Sequence, residues 1–74
     1  MKRLHSNEYF ILGILAKEAE KFPETPNMPA SEIQKKLYIN YRVMLNLGEI
    51  TEHLETLKKA RMVKVNGNGA FYHA

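Results

Sequence analysis

Ile50, Leu54 and Leu57 recur at helical spacing, which places three branched side chains within a narrow arc of one helix face. The stretch runs on through Lys59-Ala60-Arg61 into Met62-Val63-Lys64-Val65, Asn66-Gly67-Asn68-Gly69 and Ala70-Phe71-Tyr72. Val63, Val65 and the aromatic pair favour pleated backbone, and the Gly and Asn residues between them tolerate the positive φ that a tight hairpin turn requires. The last third of the chain is therefore expected to be a helix feeding a two-stranded hairpin over residues 62–73.

Seventy-four residues, 45% of them hydrophobic, make one domain near the lower end of what folds without disulfides or metal. That length leaves no room for a separate catalytic domain. The chain has no cysteine, and His5, His53 and His73 are scattered without ligand spacing, so no metal and no cofactor is expected. No apolar run reaches the ~18 residues that span a bilayer. The longest, Tyr9 to Ala16, lies between Glu8 and Lys17 and leads into Glu18, Glu20 and Lys21, where a signal peptide would have a small-residue cleavage site. An intracellular, cytoplasmic protein with no membrane partner is expected. The formal net charge of +3 permits attraction to a polyanion without demanding it.

Met1 to Ser6 reads as a flexible basic arm, and Asn7 or Ser6 can cap a first helix from about Glu8 to Lys21. Ile11, Leu15, Ala19 and Phe22 form its core stripe. Leu12, Ile14, Tyr9 and Phe10 widen the stripe until only Lys17, Glu20 and Lys21 face clearly outward. So wide an apolar arc has more than one surface to cover. Either a second subunit meets Tyr9, Phe10 and Leu12, making a homodimer, or the hairpin covers them.

Residues 23–29 hold three prolines and form a stiff connector that no regular helix can traverse. Ala30 to Leu37 then reads as a short second helix with Ile33 and Leu37 inward. It starts with Pro29 in its first turn or slightly later with a Ser31–Gln34 capping box. In Tyr38 to Leu47 a continued helix and a strand are both compatible with the pattern. Gly48 breaks that pattern before a third helix, Glu49 to Ala60. Leu47, Ile50, Leu54 and Leu57 of that region are expected to face inward and Glu52, Glu55 and Lys59 outward.

This order of helix, proline joint, helix, turn, helix and hairpin resembles the winged helix-turn-helix DNA-binding superfamily, especially small transcriptional regulators of archaea, their plasmids and their viruses. The resemblance covers most of the chain. It is best in Ala30-Ser31-Glu32-Ile33-Gln34-Lys35-Lys36-Leu37, similar to the second helix of such regulators, and in Ile50 to Val63, where an apolar residue, a leucine seven positions on and a lysine-rich end are shared. Arg61 stands after Ala60 where the family usually has glycine. About ten residues separate Leu37 from Gly48, longer than the usual turn, so a helix is expected to extend into this segment. The resemblance implies a mainly α fold with a small β-hairpin, an α+β winged helix occupying residues 1–74, with its third helix in a major groove of double-stranded DNA.

Phosphate contacts would then come from Lys35, Lys36, Arg42, Lys58, Lys59, Arg61 and Lys64, seven of the eleven basic residues. Singly, each is equally an ordinary solvated cation. Thr51, Glu52 and Thr56, with His53 beside them, are the candidate base readers, although His53 borders the core seam and suits a half-buried neutral histidine. Asn66 and Asn68 at the hairpin tip are placed to reach a minor groove, or simply to make the turn. Glu49, Glu52 and Glu55 count the other way. A glutamate can accept from cytosine N4, but three near phosphates repel them, and the same acidic face would suit a basic protein partner. Tyr38, Tyr41 and Arg42 admit a stacking platform for single-stranded nucleic acid or plain packing, and Met44, Leu45 and Leu47 an association patch or core. No serine or cysteine is paired with a histidine and no phosphate-binding glycine loop is present, so no catalytic residue is assigned and an enzyme is not expected.

Overall fold

The computed structural model describes residues 5–23 and 27–74. Helix α1 spans Ser6–Lys21, α2 Ala30–Tyr41 and α3 Leu47–Lys59, followed by strands β1, Val63–Val65, and β2, Phe71–His73. The mainly helical, α+β layout with a C-terminal hairpin is the expected one. The remainder of the basic arm, Met1–Leu4, and residues 24–26 of the connector lie outside the described residues.

Helix α1 begins earlier than its periodicity suggests, and neither Asn7 nor Ser6 caps it. His5 does: its Nδ1 accepts the Asn7 amide at 3.1 Å, and the Glu8 carboxylate accepts the His5 amide at 2.9 Å. The two exchanges satisfy donors that the first helical turn leaves free. Phe22 is no core residue. The helix ends at Lys21 and Phe22 turns out to 51% exposure, while Ile14 joins Ile11 and Leu15 in the buried face.

Pro29 precedes the first residue of α2 and makes no side-chain cap, and the Ser31–Gln34 box does not form. Gln34 instead donates through Nε2 to the Leu45 carbonyl at 2.9 Å, fastening α2 to the segment that follows it. The helix continues past Leu37 to Tyr41, as the long spacing to Gly48 requires. Arg42 then turns the chain with φ 56. Burial alternates along residues 43–46: Val43 and Leu45 pack against the core while Met44 and Asn46 are exposed.

Gly48 does not delimit α3. Asn46 is the cap, its Oδ1 accepting the Glu49 amide at 2.8 Å, and Glu49 reaches back to the Asn46 amide at 3.2 Å. Gly48 therefore lies in the first turn, and Leu47, at the helix start, is 47% exposed where the periodicity places it inside.

The hairpin is antiparallel with Val63 opposite His73, Lys64 opposite Tyr72 and Val65 opposite Phe71. On the far side of β2, Met28 exchanges two backbone hydrogen bonds of 2.8 Å with Phe71. Pro29 favours this extended conformation at Met28 by excluding the helical region for the residue before it. The connector thus delivers Met28 into a core made by Ile11, Ile14, Leu15, Ile33, Leu37, Ile50, Leu54, Leu57 and Val63.

Candidate nucleic-acid interface

The carboxyl end of α3 and the hairpin enclose a shallow groove of about 390 Å³ lined by Lys58, Arg61, Val63, Lys64, Val65 and Tyr72. Three of the seven expected phosphate-binding cations meet here around an apolar floor, and no carboxylate lines it. Their convergence comes from chain direction. Arg61 reverses the chain after α3 with φ 61, and Met62 donates to the Leu57 carbonyl at 3.0 Å, so β1 departs alongside the last helical turn. Lys58 and Lys59 also favour the helix by facing the partial negative charge of its carboxyl end.

The other expected cations are dispersed. Lys35 lies 3.6 Å from Glu32 on the exposed side of α2. Lys36 lines a crevice between α1 and α2 with Lys17, Lys21, Glu18 and Asn40, so its cationic neighbours are residues that sequence spacing does not group with it. Arg42 sits 5.9 Å from the centre of the Tyr38 ring in a cation–π arrangement.

Both threonines on α3 turn their hydroxyls inward. Thr51 donates to the Leu47 carbonyl at 2.8 Å and Thr56 to the Glu52 carbonyl at 3.2 Å. Their hydroxyl protons are thereby committed to the helix, and what they offer outward is mainly methyl. Glu49 is engaged by the cap. Glu52 and Glu55 are exposed and, among the described residues, form no ion pair.

His53 is half-buried between helices and belongs to a different cluster. Its Nδ1 lies 3.0 Å from Oε2 of Glu8, and its ring is tilted against that of His5 with centroids 5.2 Å apart. Burial by itself raises the Glu8 pKa. The hydrogen bonds from His53 and the His5 amide, with the charges of the two imidazoles, outweigh it and hold the carboxyl below its ordinary value. Sequence spacing carries no sign of this cluster, because its members lie at the two ends of the chain's helical part.

Asn66 commits its Oδ1 within the hairpin turn, accepting the Asn68 and Ala70 amides at 2.9 and 3.1 Å, while Asn68 is exposed. Gly69 takes φ 81. Of the expected stacking platform, Tyr41 is withdrawn: it stacks on Phe10 with ring centroids 4.4 Å apart. That stacking, together with the packing of Leu12 against the core, also covers two of the three side chains expected at a dimer face, leaving Tyr9 exposed. No group of side chains suited to hold a metal occurs among the described residues, and no helix there is long and apolar enough to cross a membrane. No family model, no curated protein and no solved structure matches the chain.

Proposed function

We propose that this protein is a DNA-binding protein of winged-helix type, a transcriptional regulator whose third helix lies against the major groove of duplex DNA while its hairpin holds phosphates. The observation that carries the reading is the groove formed by Lys58, Arg61 and Lys64, a cationic rim on an apolar floor directly beside the carboxyl end of α3. Phosphate oxygens suit such a rim, since cations that neutralise them gain from counterion release.

The backbone is compatible with this reading. Arg42 and Arg61 are the non-glycine residues with positive φ among the described residues, one before α3 and one after it. An L-residue in this region costs roughly 1–2 kcal/mol relative to glycine, and such strain tends to persist where the side chain is used. Each ends a helix, Arg42 closing α2 and Arg61 following α3, and both side chains are exposed, that of Arg42 lying over the Tyr38 ring.

The test is a salt titration of binding to random-sequence duplex DNA by fluorescence anisotropy, with wild type beside a Lys58→Ala, Arg61→Ala, Lys64→Ala variant verified as folded by circular dichroism. Removing one phosphate-binding cation should flatten the slope of log affinity against log salt by about 0.9. Absence of binding even at low salt would remove the DNA reading. The exposed Glu52 and Glu55 support the second reading, a protein-interaction module whose acidic α3 face meets a basic partner.

A further inference from the structure

We infer that the amino-terminal part of α3 reads thymine methyl groups, with Met44, Leu47 and Thr51 as the specificity-determining side chains. The inference rests on the duplex-DNA reading above.

Much of the polar capacity of this region is used internally. Asn46 and Glu49 cap each other, and the Thr51 hydroxyl donates to the Leu47 carbonyl. Gly48 brings no side chain. Beside the free Asn46 side-chain amide nitrogen and the second Glu49 oxygen, the exposed groups are apolar: Met44 is 81% exposed, Leu47 is about half exposed, and Thr51 offers its methyl. Neither the core nor any cap needs Met44 where it stands, since Val43 and Leu45 on either side of it pack against the core in its place.

Position and charge select the occupant. At 3.6 residues per turn, Leu47, Thr51 and Lys58 lie within about 40° of one another around α3. This strip starts at the apolar turn and runs into the cationic groove of Lys58, Arg61 and Lys64, with Arg42 on the other side of the turn. A purely apolar protein partner would leave these cations without partners. The floor of a DNA major groove between its phosphate edges offers both chemistries, and its apolar feature is the thymine 5-methyl group.

The experiment compares binding to a self-complementary alternating dA/dT duplex and to the same duplex with deoxyuridine for thymidine, which differ in the 5-methyl group. Wild type should prefer the thymine duplex by roughly fourfold for each methyl covered, the worth of one buried methylene. Met44→Ser/Leu47→Ser should bind both duplexes alike while keeping its salt dependence. Both positions are exposed, and circular dichroism confirms the fold. Thr51→Ser keeps the hydroxyl bond and loses the methyl, so part of the preference should go without any structural change.

Equal wild-type affinity for the two duplexes, with salt-sensitive binding to both, overturns the inference and leaves the DNA reading in place. A preference that survives in the double variant overturns it too, because the uracil duplex then differs through groove shape. No binding to these duplexes or to random DNA at low salt removes the DNA reading and the inference together. A double variant that turns a sedimenting dimer into a monomer, with no thymine preference in wild type, assigns the patch to an interface between copies.

Discussion

His53 on α3 and Glu8 on α1, 45 positions apart, meet through Nδ1 and Oε2 at 3.0 Å, and the same carboxylate caps α1 through the His5 amide. One buried acid therefore both starts the first helix and ties it to the third. Glu8→Ala is expected to cost about 2 kcal/mol, the range of hydrogen bonds to a charged group. Because the folded-state pKa is lowered, this stabilisation is complete above the ordinary carboxylate value of 4.5 and is lost as pH falls through the lower folded value. Urea unfolding followed from neutral to acid pH should show a loss on the acid side that is smaller in Glu8→Gln. Identical pH curves for the two proteins would dismiss the linkage.

Arg61→Gly separates the cost of the helix terminus from its use. Glycine relieves the φ of 61, so the variant should unfold at higher denaturant, gaining about 1 kcal/mol. The same change removes a cation from the groove and should weaken duplex binding. Greater stability with undiminished affinity would show that Arg61 does not touch DNA.

Tyr41 lies across α1 at Gly13, where a Cβ would meet its hydroxyl oxygen at 3.0 Å. Glycine inside a helix costs about 1 kcal/mol relative to alanine, so Gly13→Ala should gain that much only once the hydroxyl is removed. In thermal unfolding, Gly13→Ala should change little by itself and stabilise the Tyr41→Phe background. Equal gains in both backgrounds would rule out the close approach as the reason for glycine.

Glu52→Lys/Glu55→Lys distinguishes the two functional readings. If the outer face of α3 approaches phosphates, the variant should bind random duplex DNA more tightly, with a steeper salt dependence. An unchanged affinity would move that face away from the DNA and favour the protein-partner reading.

The helical stripes of α1 and α3, the inward Ile33 and Leu37 and the hairpin were legible because each follows from spacing within a few neighbouring residues. Phe22 and Leu47 depart from their expected places for one shared reason. Each stands at a helix end, where periodicity still assigns a face although the chain has begun to turn away. Met28 carried a readable signal in Pro29, which extends the residue before it, but its partner Phe71 is too far along the chain for any local pattern to name.

The candidate interface divides along the same line. The sequence by itself determined which side chains carry charge, that Thr51 and Glu52 ride on a helix, and that Asn66 to Gly69 turn. Tertiary structure alone decided that Lys58, Arg61 and Lys64 share one groove while Lys36 faces Lys17 and Lys21, that Tyr41 stacks on Phe10, and that Met44 stands in solvent. Periodicity sets the direction of a side chain relative to its own helix, whereas company is set by how the elements cross, and that depends on core packing between residues far apart in sequence.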